Sequence, residues 1–204
     1  MDISDKNKFF CLDISQGEQL SFEKIFGNKR PVTLEIGSGK GEFLALYSRV
    51  HPERNFIGIE LKAKRIITTL KKLDIERNSN VRLLNLYVDE NVTKVIPEDS
   101  ISEIIIYHPD PWPKTRHHKK RIFQHSFLCS VNQILKAGGF IRISTDSLDY
   151  ANWIKNLFAK RLEYVSMCAE GFTNIPPEDH LTTYFDELQS AEGFEPLFML
   201  YRKA

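Results

Sequence analysis

The sequence lacks the features that mark membrane, secreted or metal-bound proteins. No apolar run reaches the roughly 18 residues of a membrane-spanning helix, and the first residues, MDISDKNKFF, lack the basic and then apolar pattern of a secretion signal. Cysteine is scarce: Cys11, Cys129 and Cys168 are far apart and fit neither a metal site nor a redox pair. These absences predict a cytoplasmic protein without a metal and without a membrane.

Charge is nearly balanced over the whole chain but unevenly distributed along it. The 204 residues carry a formal net charge of +1. Five lysines and arginines and no acid occur in residues 114–121, whereas residues 145–195 contain ten acids against three bases. This separation favours a molecule with one anion-attracting side, although most basic runs are only solvated surface. The length predicts a single domain over residues 1–204, in which residues 1–28 carry little structural signal.

Short apolar runs alternate with segments of helical periodicity. The runs are rich in Ile, Leu and Val on both faces, which is typical of buried parallel strands. The alternation predicts an α/β fold with a doubly wound, mostly parallel sheet, and two apolar runs near the C-terminus predict an antiparallel edge. The predicted strands cover residues 32–36, 55–60, 81–88, 101–108, 139–145, 164–169 and 196–203, and predicted helices cover 61–73, 123–135 and 150–158.

A glycine-rich turn, LEIGSGKGEF, follows the first predicted strand. Ligands of such sheets bind beyond the carboxyl ends of the strands, so Gly37 and Gly39 are placed to let the backbone approach a ligand closely. The sixth position of a dinucleotide fingerprint is glycine, but here it is Glu42, whose charge would repel a pyrophosphate. With Glu35 at the strand end, the acidic turn favours a positively charged cofactor without phosphates, such as S-adenosylmethionine.

Polar side chains also stand at the ends of the second and third predicted strands. Glu60 can accept hydrogen bonds from both hydroxyls of a ribose, in an S-adenosylmethionine site or an NAD site alike. Asn85 and Tyr87 are placed to meet an adenine. The alternatives are that Glu35 and Glu60 only cap strand ends and that Tyr87 only packs within its strand.

The segment YHPDPWPKTRHHKKR, residues 107–121, places a rigid acid directly before the most basic part of the chain. Pro109 and Pro111 flank Asp110 and restrict its backbone, so the carboxylate has little conformational freedom. Trp112 either walls a pocket, stacks on a base or packs in the core. Lys114 and the following cations can hold phosphates, the main source of nucleic-acid affinity.

Five motifs in this order, LEIGSGKGEF, FIGIE, HPDPWPKTRHHKKR, STD and TTYF, resemble the bacterial tRNA (guanine-N7-)-methyltransferases. The resemblance extends from about residue 30 to the end, and PDPWPK with its basic continuation is its most specific part. It implies a Rossmann-like class I S-adenosylmethionine-dependent fold with a seven-stranded sheet. It also implies methylation of N7 of a guanine in the tRNA variable loop by a cytoplasmic monomer or homodimer that needs no other protein.

The resemblance implies roles for individual residues. Asp110 is catalytic by family convention. Because N7 of guanine carries no proton to remove, we interpret Asp110 as a group that orients the base and stabilises its developing positive charge. Asp146 in STD is a substrate contact, unless it caps the following helix. The implied cofactor contacts are Glu35, Gly37, Gly39, Glu60, Asn85, Tyr87 and Asp110, and the implied tRNA contacts are Lys114, Arg116, Lys119, Arg121, Asp146, Thr182, Tyr184 and Phe185.

Two residues depart from the family pattern, and alternatives stay open. Tyr87 stands where the family usually has Asp, and Phe185 where it usually has Glu, although Asp186 follows directly. The alternatives are methylation of another base atom, a tRNA-binding protein with a vestigial cofactor site, and an NAD-dependent oxidoreductase. Residues 1–28 either are mobile and contact RNA or pack on the domain. The histidine pair after Arg116 has no partner at metal-ligand spacing, so no metal site is expected.

Overall fold

A computed structural model describes residues 2–14, 17–182 and 193–204. Seven strands among them form one sheet in the order β3-β2-β1-β4-β5-β7-β6. Neighbours within β1 to β5 are parallel, and β7 pairs antiparallel with β5 and β6. The predicted α/β fold with an antiparallel edge is therefore confirmed. The strands are β1 (Val32–Ile36), β2 (Asn55–Ile59), β3 (Val81–Leu84), β4 (Ile101–Tyr107), β5 (Leu135–Thr145), β6 (Tyr164–Ser166) and β7 (Leu197–Lys203).

Helices connect the parallel strands and cover both faces of the sheet. Two short 3₁₀ helices also occur in the described residues, at Glu90–Lys94 and Thr115–Lys120. The α-helices of these residues are α1 (Ile3–Phe10), α2 (Phe22–Phe26), α3 (Glu42–Val50), α4 (Ala63–Lys72), α5 (His125–Ile134) and α6 (Leu148–Phe158). In the part of the chain that is described, no helix is long and apolar enough to cross a membrane.

The sheet separates two hydrophobic clusters, because consecutive strand residues point to opposite faces. Ile104 and Ile106 of β4 belong to the cluster packed against α5 and α6, whereas Ile105 belongs to the cluster packed against α1, α3 and α4. This explains why the central strands read as unbroken apolar runs rather than as alternating ones.

Helix α1 packs on the domain. Phe10 at its end is fully buried in the second cluster, and the Arg82 guanidinium lies 4.3 Å from the centre of the Phe9 ring. Lys6 Nζ donates to the carbonyl oxygen of Leu73 at 2.5 Å. Of the two alternatives for the N-terminal residues, the described part of this segment therefore supports packing.

Boundaries differ from the prediction where side chains or glycines redirect the backbone. Strand β3 ends at Leu84, because the chain then turns and Asn85 bonds to the end of β2. Strand β5 begins before Gly138, with an irregular register against β4 between Ile101 and Glu103. The predicted helix start at residue 123 is two residues early.

Candidate active site

A cleft of about 500 Å³ opens at the carboxyl ends of the parallel strands. Residues that follow four different strands line it: Gly37 after β1, Glu60 after β2, Tyr87 after β3 and Asp110 after β4. Open α/β sheets bind ligands in such a crevice. The fold thus brings together four residues that the sequence predicted at one site.

The glycine turn between β1 and α3 adopts left-handed backbone conformations. The φ angles of Gly37, Gly39 and Gly41 are 81°, 57° and 72°, a region that other residues rarely adopt. A Cβ at Gly41 would lie 2.3 Å from the Thr69 side chain, so this glycine allows α3 and α4 to approach closely. A Cβ at Gly37 would meet nothing within 4 Å, which leaves open space where the turn borders the cleft.

Glu60 is buried, with both carboxylate oxygens engaged by the backbone. Oε2 accepts from Gly39 N at 3.0 Å and Oε1 accepts from Lys62 N at 2.8 Å. Arg65 adds a long ion pair at 3.5 Å. A carboxylate has about four acceptor sites, so Glu60 ties the glycine turn to the end of β2 and keeps acceptor capacity for hydroxyl groups.

Glu35 is also buried, but it lies on the other face of β1 from Ile36, which lines the cleft. Its Oε2 has no hydrogen-bond partner among the described residues. Burial, reinforced by the nearby Glu60 carboxylate, raises the pKa of Glu35 to about 8. At neutral pH, Glu35 is therefore mostly protonated in the absence of a cation beside it.

Two polar residues around the turn, Asn85 and Glu42, have partners that the sequence did not reveal. The Asn85 amide donates to the carbonyl oxygens of Glu60 and Leu61, both at 2.8 Å, and Asn85 does not line the described cleft. Tyr87 does line it and is 64% exposed. The Glu42 carboxylate pairs with Lys72 Nζ at 2.9 Å, which weakens the argument that this acid repels phosphate.

Residues 108–114, here called the Asp110 loop, form one wall of the cleft. Asp110 is exposed, and its side chain makes no hydrogen bond to any described residue. Trp112 is half-buried in the wall, with its ring edge against His117 and with Lys120 Nζ 4.6 Å from its ring centre. The tryptophan thus belongs to the cleft and not to the core.

The basic run forms the 3₁₀ helix that follows this loop. Lys114, Arg116 and Lys119 are exposed there, as a phosphate contact requires. Arg121 is different: its side chain is 0% exposed and pairs with Asp149. This buried position argues against the predicted contact of Arg121 with tRNA, although the residue borders the cleft.

Asp146 follows β5 at the same edge of the sheet as the Asp110 loop, since β4 and β5 are adjacent and parallel. It does not cap α6: the cap is Ser147, whose Oγ accepts from Tyr150 N at 3.3 Å. Asp146 is half-buried and makes no side-chain hydrogen bond to a described residue. The capping alternative is thereby removed.

The predicted contacts near the C-terminus are only partly described. Thr182 is exposed and does not line the cleft described above, and Tyr184 and Phe185, like Asp186, lie outside the described residues. The chain just before Thr182 is anchored by Asp179, which accepts from Tyr47 Oη at 2.7 Å and from Arg142 Nη1 at 2.5 Å. Burial alone would raise the pKa of Asp179, but these hydrogen bonds lower it to about 2.

Sequence reasoning missed a second group of cations at the cleft. Lys62 and Arg65 line it at the start of α4, opposite the Asp110 loop. The signal was present, because the run KAKR follows Glu60 directly after Leu61. In the described ranges, no group of three His, Cys, Asp or Glu side chains could hold a metal ion.

Comparisons with known proteins give a consistent result. Residues 29–192 match a family model described as "Putative methyltransferase". The tRNA (guanine-N(7)-)-methyltransferase of Alkalilimnicola ehrlichii is 32% identical over 187 residues, which cover 92% of this chain and 78% of that relative. The Nitrosomonas europaea protein of the same name is 37% identical over 153 residues, which cover 75% of this chain and 68% of that relative. The 16S rRNA methyltransferase KamB has the same fold, with a TM-score of 0.66 at 13% identity over 90% of this chain and 92% of that one.

Proposed function

The chain belongs to the tRNA (guanine-N(7)-)-methyltransferase family, and on that premise we propose that the cleft between Glu60 and Asp110 is its methyl-transfer site. The enzyme transfers the methyl group of S-adenosylmethionine to N7 of a guanine in tRNA. The observation that carries the assignment of the site is that one cleft joins the glycine turn, the buried acid after β2 and the rigid acid after β4.

The residues of the cleft fit S-adenosylmethionine, which supplies an electrophilic methyl group on a positively charged sulfur. Gly37 leaves open space beside the turn, and Glu60 has acceptor capacity for two ribose hydroxyls. The Glu60 carboxylate lines the cleft beside the turn, where an acid favours the ammonium and sulfonium groups of the cofactor. The exposed ring of Tyr87 provides an apolar face for the adenine.

Cofactor binding should release a proton from Glu35. Because the pKa of Glu35 is raised to about 8, a cation bound nearby favours the charged carboxylate, and affinity should increase as pH rises from 6 to 8. Calorimetry with S-adenosylhomocysteine, which carries the same ammonium, should give different enthalpies in phosphate and Tris buffers at pH 7. The variant Glu35→Gln, which cannot release a proton, should show no such difference; equal enthalpies for the wild type would contradict the proposal.

Asp110 orients the guanine in the proposed site. N7 has a free in-plane lone pair, so no general base is needed before it attacks the methyl group. The base becomes cationic as the bond forms, and a carboxylate that accepts from its N1–H and N2 amino group stabilises that charge and fixes the direction of N7. The flanking prolines and the exposed position of Asp110 suit this role.

The tRNA backbone docks on exposed cations at the end of the Asp110 loop and directly after it, among them Lys114, Arg116 and Lys119. Because binding to phosphates releases counterions, the affinity should weaken steeply with salt. Replacing Lys114 and Lys119 by Ala should make the slope of log K against log salt shallower by about 0.7 for each phosphate that the variant no longer binds. Binding titrations over a range of salt concentrations measure this slope.

A matched control removes the same charge elsewhere. Lys136 lies at the amino end of β5, away from the cleft, and Lys160 follows α6. Both side chains are exposed. The double variant Lys136→Ala/Lys160→Ala should keep the wild-type slope. If both double variants change the slope equally, tRNA binds through general charge and not through the face beside the Asp110 loop.

The proposed chemistry is tested by incubating the purified protein with labelled S-adenosylmethionine and unmodified tRNA. Borohydride reduction followed by aniline cleaves the RNA at N7-methylguanosine, so the position of the break identifies the modified base; we expect it in the variable loop. Label without cleavage would indicate methylation of another atom. Binding without label would indicate a vestigial cofactor site.

We also propose that residues 1–204 form a single methyltransferase domain that acts in the cytoplasm. All strands of the described residues lie in one sheet, and the N-terminal helix packs on it. A tRNA substrate and three cysteines outside disulfides suit that compartment.

A further inference from the structure

Arg121 is the fully buried member of the most basic segment of the chain. Its side chain is 0% exposed, whereas Lys119 and Lys120 beside it are exposed. Burying a guanidinium is costly unless it is paired and hydrogen-bonded. Nη1 has no hydrogen-bond partner among the described residues, and the contacts of Nε and Nη2 offset part of the cost by connecting a wall of the cleft to α6.

The guanidinium links the Asp110 loop to the first turn of α6. Nε donates to the carbonyl oxygen of Pro111 at 2.8 Å, and Nη2 pairs with the Asp149 carboxylate. The guanidinium centre also lies 4.9 Å from the Tyr150 ring centre and 5.0 Å from that of Trp153. A planar guanidinium with several donors can make all these contacts at once, whereas the single nitrogen of lysine cannot.

Helix α6 also contacts the residues that follow the Asp110 loop. Trp153 Nε1 donates to the carbonyl oxygen of Phe123 at 2.9 Å, and its ring edge contacts His118. The helix follows Asp146 after a single residue, Ser147. The segments that carry the two acids implied in guanine binding, Asp110 and Asp146, therefore both adjoin α6.

We propose that Arg121 and Asp149 are positioning residues, which fix the Asp110 loop against α6 so that Asp110 meets the guanine in a productive geometry. The proposal rests on the proposed function of the cleft. The Asp110 side chain has no hydrogen bond to the described residues that would hold it in place, so its location depends on its backbone. A displacement of about 1 Å at a reacting centre can reduce the rate roughly 100-fold.

Asp149→Ala tests this role by changing a side chain that is 67% exposed. Because it leaves the buried Arg121 without its ion partner, thermal unfolding first establishes the folded fraction of the variant. We expect the single-turnover rate of methyl transfer, expressed per folded molecule, to fall about 10- to 100-fold. Affinities for S-adenosylhomocysteine and tRNA should stay within about twofold of wild type, because Asp149 contacts neither in this proposal. Asp149→Asn, which keeps a hydrogen-bond acceptor, should recover part of the rate.

The control is Glu163→Ala, which removes an acid from another arginine ion pair, with Arg161 at 2.8 Å. It should leave the rate unchanged. Three results would overturn the proposal. The rate of Asp149→Ala could stay within about twofold of wild type, or it could fall only as much as that of Glu163→Ala. The affinities of Asp149→Ala for S-adenosylhomocysteine and tRNA could also fall as much as its rate.

Trypsin cleavage at Lys114 and Arg116 tests the link between Arg121 and Asp149 without any activity. Releasing the loop in Asp149→Ala should accelerate cleavage there several-fold over wild type and over Glu163→Ala. Equal cleavage in all three proteins would overturn the positioning role. Because this readout needs no methyl transfer, a wild type that does not methylate tRNA would count against the proposed function alone.

Discussion

Asp110→Asn should reduce kcat by about 100- to 1,000-fold while the Kd for tRNA stays nearly unchanged. The amide keeps the shape of the carboxylate but removes its charge, and its NH₂ group would face the N–H groups of the guanine edge. Asp110 is exposed and makes no hydrogen bond to a described residue, so the variant should fold as the wild type does. Single-turnover kinetics and tRNA binding titrations separate the two effects.

The matched control is Glu98→Gln. Glu98 is an exposed acid that precedes β4, at the amino ends of the parallel strands and away from the cleft. It should leave both kcat and Kd unchanged. Weaker tRNA binding with an unchanged kcat in Asp110→Asn would mean that Asp110 binds the RNA equally in the ground state and the transition state. Equal reductions of kcat and tRNA affinity would mean that Asp110 also contributes to ground-state binding, and either result is contrary to the role argued here.

Glu60→Gln should weaken S-adenosylhomocysteine binding about 10- to 100-fold. In the wild type, one carboxylate oxygen accepts from Gly39 N at 3.0 Å and the other from Lys62 N at 2.8 Å. A glutamine has one acceptor oxygen and one donor NH₂, so it leaves one backbone N–H unpaired and removes an acceptor from the ribose. Calorimetric titration measures the affinity, and thermal unfolding measures any decrease in stability.

Glu53→Gln provides the comparison, since Glu53 is an exposed acid before β2 at the other edge of the sheet. It should bind S-adenosylhomocysteine as the wild type does. An affinity within about twofold of wild type for Glu60→Gln would show that Glu60 only supports the glycine turn, and the cofactor would then have to be held elsewhere.

The sheet and the family were predictable from local patterns. Strands buried on both faces give unbroken apolar runs, so β1 was predicted at its observed bounds. The shared carboxyl edge of parallel strands then implied that the residues following them would meet, as Glu60 and Asp110 do in the cleft. The resemblance based on the motif order is confirmed by the comparisons.

Side-chain partners distant in the chain were not predictable. Arg121 looks like its basic neighbours in sequence, and only the packing of α6 against the loop buries it beside Asp149. Asn85 was predicted at the end of the third strand, but β3 ends at Leu84 and the Asn85 amide bonds to the end of β2, which depends on the pairing of two strands. Lys72 on α4 likewise pairs with Glu42, so the negative charge of Glu42 is compensated and repels a phosphate less.

The location of bound S-adenosylhomocysteine in a crystal structure tests the central claim most directly. We expect its ribose hydroxyls on the carboxylate after β2, its amino acid part beside the glycine turn, and its sulfur facing the rigid acid after β4. A nucleoside bound at another edge of the sheet, out of reach of both Glu60 and Asp110, would contradict the account.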